Sequence, residues 1–143
     1  MSLLQELDDA LGFLIGRTNL KTKCELDRAI KPFGVTAVQW MVLKRLWEKD
    51  GQLLKDLAEA TYKDQANITR VVDKLEKRGL LTRVKGQNDR RTYSIHLTKE
   101  GRDLENEVMP RVKKACETTE GLLNSEDLRQ LKELLNKVFY KIP

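Results

Sequence analysis

The chain has 143 residues, 40% hydrophobic and 34% charged, with a net charge of +5. That length fits one domain or two small subdomains on a shared core. No apolar run approaches the ~18 residues of a membrane span. Met1-Ser2-Leu3-Leu4-Gln5-Glu6 lacks the basic and apolar regions of a secretory leader, so a cytoplasmic protein is expected.

Residues 3–31 place Leu3, Leu7, Leu11, Leu14, Thr18, Leu26 and Ile30 at three-and-four spacing, which predicts one long amphipathic helix. Lys31-Pro32-Phe33-Gly34 ends it, because proline lacks an N–H and glycine permits a turn. Thr36 and Gln39 have the spacing of a capping box, opening a second helix that runs to about Lys49. Asp50-Gly51 ends that helix. Leu53–Ala60 is a short helix with Leu54, Leu57 and Ala58 facing inward. After the turn Thr61-Tyr62-Lys63, Asp64 caps a helix over Gln65–Arg78 whose buried side is Ile68, Val71, Val72 and Leu75. Two helices across a three-residue turn make a helix-turn-helix.

Gly79 closes the second helix of that unit. Leu80–Val84 and Thr92–Leu97 then read as two strands around a mobile tip, Lys85-Gly86-Gln87-Asn88-Asp89. Thr98 caps a helix from Lys99 to about Leu122, with Leu104, Val108, Val112, Ala115, Thr119 and Leu122 on its apolar side and Pro110 expected to kink it. Asn124-Ser125 caps the last helix, which is apolar at Leu128, Leu131, Leu134, Leu135, Val138, Phe139 and Ile142. The fold class is mainly α with a small β-hairpin wing. Residues 35–98 form a winged helix-turn-helix lobe, flanked by helical regions 1–34 and 99–143. The flanking stripes have two ways to be covered: by one another, or by a second copy of the chain.

The position of the charge says more than its size. Lys63 to Arg91 holds nine basic and four acidic residues, while the rest of the chain holds 18 of each. A solvated charged face does not predict such confinement; a polyanion partner does. On the reading helix the outward set is Gln65, Ala66, Asn67, Thr69, Arg70, Asp73 and Lys74. Gln and Asn suit bidentate pairing to adenine, and Ala66 suits a thymine methyl. Thr69, Arg70 and Lys74 suit phosphates that set register. In the wing, Arg83, Lys85, Asp89, Arg90 and Arg91 are the candidates. Arg90 reads as the free tip contact, and Arg91 either enters the minor groove or is held by Asp89. A helix in the major groove and a wing in the adjacent minor groove is how such a unit reads duplex DNA. The alternative is a winged-helix interaction module that docks an acidic protein partner. It explains the charge but not the Gln/Asn/Thr/Arg face.

Cys24 and Cys116 have no metal-type spacing and read as free thiols packed on helix faces. His96 is the single histidine and reads as structural, so neither a metal site nor a cofactor is expected. No nucleophile–base pairing or glycine-rich phosphate loop is present, which argues against an enzyme.

The element order resembles the MarR family of bacterial transcriptional regulators over essentially the whole chain. The resemblance is carried by the helix-turn-helix run Leu53 to Leu81, the helix end Leu75-Glu76-Lys77-Arg78-Gly79-Leu80, and Asp89-Arg90-Arg91-Thr92 continuing to Leu97-Thr98. It implies a homodimer built from the terminal helices, double-stranded operator DNA of pseudo-palindromic sequence as partner, and repression relieved by a small, often phenolic or anionic, effector. It implies an effector crevice between the first two helices and the lobe. Candidates there are Phe13, Phe33, Trp40, Met41 and Trp47, with Arg17 or Lys44 as counter-charge; the same residues serve equally as ordinary core. Redox-sensing members carry their reactive cysteine near the position of Leu11, about a dozen residues before Cys24. Peroxide sensing by that route is therefore not expected.

Overall fold

The computed structural model describes residues 2–89 and 91–143. Two helices, α1 (Leu3–Asp8) and α2 (Leu11–Ile30), stand where one long helix was expected. The break falls at Asp9 and at Ala10, whose backbone is extended (φ −67°, ψ 143°). Asp8 and Asp9 sit at a helix C-terminus, where the macrodipole disfavours negative charge, and just ahead of a new N-terminus, where it favours it. Apolar periodicity runs across this break because it reports the buried face, not the continuity of the backbone.

A single 3-10 turn over Lys31–Phe33 and Gly34 (φ 66°) redirects the chain. The Thr36–Gln39 capping box opens α3 (Ala37–Glu48): Gln39 N donates to Thr36 Oγ1 at 3.2 Å and Thr36 N donates to Gln39 Oε1 at 3.1 Å. Next comes a strand the sequence did not reveal, β1 (Gln52–Leu53), followed by α4 (Leu54–Ala60) and α5 (Gln65–Lys77). Strands β2 (Leu81–Lys85) and β3 (Tyr93–Leu97) pair antiparallel, with Arg83 opposite Ile95 and Lys85 opposite Tyr93. β1 pairs with the other edge of β3, giving the order β1-β3-β2. The sheet is thus three-stranded rather than a bare hairpin.

The last two helices are α6 (Lys99–Glu120), which continues through Pro110, and α7 (Ser125–Lys141). Thr98 and Asn124 cap them as the sequence predicts. The start of α6 docks tightly: Gly101 lies against the Leu80 carbonyl, which a Cβ would overlap, and Trp47 Nε1 donates to Gly101 O at 2.8 Å.

The core lies between the end of α2 and the middle of α6. Ile30, Val42, Leu43, Leu46, Leu57, Ile68, Val72, Leu75, Leu81, Ile95 and Val108 are its fully enclosed side chains. α1 and α7 contribute no buried residue, and α2 contributes only Ile30. The terminal stripes are therefore not spent on this core. Leu131, Leu134, Leu135 and Phe139 of α7 and Leu7, Leu11 and Phe13 of the N-terminal helices remain exposed in one protomer.

Candidate nucleic-acid interface

Helix α5 begins at Asp64, whose carboxylate accepts from Asn67 N at 2.7 Å. Ile68, Val71, Val72 and Leu75 bury one side of α5 against the lobe. That burial turns Gln65, Ala66, Arg70 and Lys74 outward into solvent, with Asn67, Thr69 and Asp73 half-buried at the margins. The Thr69 hydroxyl donates to Gln65 O at 2.8 Å, and it reaches a phosphate oxygen only by rotating its proton away from that carbonyl.

The wing is tied back to this helix. Arg83 on β2 pairs with Asp73 on α5 and also donates to Thr69 O at 3.4 Å. Arg83 is therefore an anchor between wing and helix, not a free wing cation. Arg78 is likewise engaged, donating to Phe33 O and Gly34 O at 2.8 Å each. Among the described residues the exposed cations of the region are Lys63, Arg70, Lys74, Lys77, Lys85 and Arg91, together with the engaged Arg78. Arg90 lies outside the described residues.

Of the two readings of Arg91, entry into the minor groove or capture by Asp89, the second is not what the Asp89 carboxylate does here: it organises backbone. Its Oδ1 accepts from Arg91 N at 2.9 Å, and its carbonyl accepts from Thr92 N at 3.1 Å and Thr92 Oγ1 at 2.8 Å. Gly86 N donates to Thr92 O at 2.9 Å to close the loop. A side chain at Gly86 would overlap Thr92 Oγ1 and come within 2.7 Å of Asp89 O. The sequence showed Gly86 as a flexible tip; the structure makes it a packing requirement.

An open groove of about 740 Å³ runs between α3 and α6, lined by Trp40, Lys44, Glu105, Asn106, Met109, Pro110, Val112, Lys113 and Cys116. Trp40 and Lys44 thus meet, but against α6 rather than α2. Phe13, Arg17 and Met41 are not among its walls, since α2 directs Phe13 and Arg17 into solvent. Two other candidates have different work. Trp47 is fixed to Gly101, and Phe33 packs on the core with Arg111 above its ring at 5.8 Å. The Trp40 indole N–H is buried and has no hydrogen-bond partner among the described residues. The Lys44 ammonium bonds Glu48, which holds the Glu48 carboxyl below the usual carboxylate range.

Cys24 and Cys116 are exposed, against the expectation of packed thiols. The sides of α2 and α6 that carry them border open grooves rather than core. His96 lies 3.0 Å from Ser94 Oγ and packs beside Gly51. Among the described residues no His/Cys/Asp/Glu cluster suits a metal ion, and no helix is long and apolar enough to cross a membrane.

A helix-turn-helix, a pinned wing and a basic outward face define a winged-helix DNA-binding protein. A sequence profile of the MarR family matches residues 35–93. The chain is 33% identical to the HTH-type transcriptional regulator FarR of Neisseria gonorrhoeae over 125 residues, 87% of this chain and 84% of that one. It is 31% identical to the homoprotocatechuate degradative operon repressor of Escherichia coli over 108 residues, 76% and 73% of the two chains. Among solved structures it is similar to Bordetella bronchiseptica BpsR, whose DNA binding is regulated by 6-hydroxynicotinic acid. That match has a TM-score of 0.85 and 30% identity, and covers 92% of this chain and 94% of that one. The chain belongs to the MarR family and is a DNA-binding transcriptional regulator.

Proposed function

We propose that the protein is a homodimeric repressor of a pseudo-palindromic operator, acting in the cytoplasm and released from DNA by a small aromatic anion. The observation that carries the DNA reading is the outward face of α5, polar and basic, beside a wing pinned to the same helix. Each α5 enters a major groove, where Gln65, Asn67 and Ala66 meet base edges and Thr69, Arg70 and Lys74 meet phosphates. Lys85, Asp89, Arg90 and Arg91 belong to the wing, with Asp89 shaping the loop that aims Arg91 at the adjacent minor groove. Arg83 supports the wing from behind. A dimer sets two such lobes about one helical turn of DNA apart, ~34 Å. The exposed apolar stripes of α1, α2 and α7 supply the surface for it. Residues 1–34 and 99–143 serve that dimer, and residues 35–98 serve the DNA.

The effector reading rests on the α3–α6 groove. Trp40 and Met109 offer apolar surface and Asn106 offers an amide, while Lys44 and Lys113 supply positive charge only by exchanging their partners Glu48 and Glu117 for the anion. FarR and the homoprotocatechuate repressor are regulators of the same family, and BpsR responds to an aromatic acid, which gives the reading its chemical class.

A mobility shift with the gene's own upstream duplex tests this, run across a salt series with excess competitor DNA. A discrete complex at nanomolar dimer that weakens steeply with salt is the expected result. Loss of the complex to competitor at every salt concentration, with retention on an acidic protein instead, overturns the reading.

A further inference from the structure

Helices α4 and α5 end in the same hydrogen-bonded motif with different residues at its left-handed position. At the end of α5, Gly79 N donates to Glu76 O at 2.9 Å and Leu80 N donates to Leu75 O at 3.0 Å, with Gly79 at φ 76°. At the end of α4, Tyr62 N donates to Glu59 O at 3.2 Å and Lys63 N donates to Ala58 O at 3.0 Å, with Tyr62 at φ 56°. Both are the C-terminal motif that favours glycine. Among the described residues Tyr62 is the only non-glycine with positive φ. A bulky side chain there raises the energy of the folded chain relative to Gly or Asn. Burial does not offset that cost, because Tyr62 is 74% exposed.

The ring does have a partner. Tyr62 meets Phe139 edge-to-face, with centroids 5.6 Å apart at 80°, and Phe139 meets Tyr140 the same way at 5.1 Å and 88°. Phe139 and Tyr140 lie in the last turns of α7, a helix without a single buried residue. Tyr62 stands two residues before Asp64, the cap that starts α5. One aromatic contact thus joins the C-terminal helix to the turn from which the recognition helix springs. Edge-to-face pairs are directional, since the positive ring edge seeks the negative ring face.

We propose that Tyr62 and Phe139 form a strut through which α7 fixes the tilt of the helix-turn-helix relative to the dimer, making both residues positioning residues for DNA binding. This rests on the DNA-binding reading above. Two recognition helices bind together only if their separation matches the half-sites. A lobe that rocks on its dimer loses affinity and tolerates wrong spacing.

The probe is the set of duplexes that the wild-type protein retains from a random pool of roughly 30 base pairs, long enough for two half-sites. Affinity, thermal midpoint and sedimentation mass are measured for wild type, Tyr62→Asn, Tyr62→Phe, Phe139→Leu and the Tyr62→Asn/Phe139→Leu pair. Asn accepts the left-handed backbone, so Tyr62→Asn holds or raises the thermal midpoint. It nonetheless weakens binding by about fivefold or more, the scale of a coupling between sites. It also binds a duplex with one extra spacer base pair almost as well as the native spacing. Such a split between stability and affinity is not what a merely structural residue gives. Tyr62→Phe binds as wild type. Phe139→Leu, which keeps an apolar side chain on the α7 stripe and so keeps the dimer mass, repeats the loss, and the double variant loses no more than either single one.

Wild-type binding by Tyr62→Asn overturns the strut, as do additive losses in the double variant. A Tyr62→Phe loss equal to that of Tyr62→Asn overturns it too, and assigns the phenol to a phosphate contact instead. A wild-type protein that retains no duplex removes the DNA-binding reading and the strut together. A wild type that binds beside an indifferent Tyr62→Asn removes the strut alone.

Discussion

Arg83 on the wing and Asp73 on the recognition helix form an ion pair that locks the two DNA-facing elements to each other. The pair also explains why a carboxylate is tolerated on a surface that faces phosphates, since its charge is met from within the protein. Both side chains are partly exposed, 25% for Arg83 and 45% for Asp73, so the pair contributes about 0.5–1 kcal/mol to stability. Asp73→Asn lowers stability by that amount in denaturant titration. It also releases the Arg83 guanidinium toward DNA, so the salt dependence of binding steepens by about one counterion. An unchanged salt slope would place Arg83 out of reach of the backbone in both proteins.

Arg91 and Asn67 should separate affinity from specificity. Arg91→Ala weakens binding to every duplex and lowers the salt slope by about one. Asn67→Ala changes base preference at one position per half-site by about 1–3 kcal/mol and leaves the salt slope alone. Binding curves on a panel of single-base operator variants, repeated at three salt concentrations, distinguish the two.

Gly86→Ala tests whether the wing's shape matters apart from its charge. The new methyl overlaps Thr92 Oγ1, so the loop held by Asp89 and Thr92 has to open. Because the loop is exposed, unfolding free energy shifts by less than about 1 kcal/mol. Loss of minor-groove aim lowers DNA affinity roughly tenfold, about 1.4 kcal/mol. Asp89→Ala acts in the same direction by removing the carboxylate that accepts from Arg91 N.

Leu134 is 58% exposed in one protomer and belongs to none of the core. Leu134→Glu should leave the lobe folded while placing a charge in the dimer surface, where an unpaired buried charge is strongly unfavourable. Sedimentation then reports a monomer. DNA affinity falls by roughly a hundredfold or more, because each lobe loses the effective concentration supplied by the other.

Gly101→Ala pushes a methyl into the Leu80 carbonyl at the junction of α6 with the lobe. Overpacking of a tight backbone contact costs about 1–3 kcal/mol. Chemical denaturation of this variant reports the loss. Trp47 fluorescence should shift with it, because its indole N–H bonds the Gly101 carbonyl.

The helix starts at Thr36, Asp64, Thr98 and Asn124 were legible in the sequence, and all four caps form as their spacing predicts. A cap joins residues three apart, so the whole interaction lies inside one window of sequence. The buried side of α5 was legible for the same reason, since residues three and four apart share a helix face. Strand β1 was not, because Gln52-Leu53 is too short to show alternation and pairs with Ser94 and Ile95 far along the chain. Nor was the break at Asp9–Ala10, where apolar spacing carries straight across two helices.

The order of elements, the polar face of α5 and the confinement of positive charge between Lys63 and Arg91 can be read from the residues alone. Tertiary structure alone decided how that charge is used. It commits Arg78 to the carbonyls of Phe33 and Gly34 and Arg83 to Asp73, and it leaves Arg70, Lys74 and Arg91 outside. It also placed Trp40 and Lys44 against α6 and left Phe13 and Arg17 out of that groove. The reason is range: capping and periodicity act over three or four residues, whereas ion pairs and groove walls depend on distances that exist only once the helices have packed.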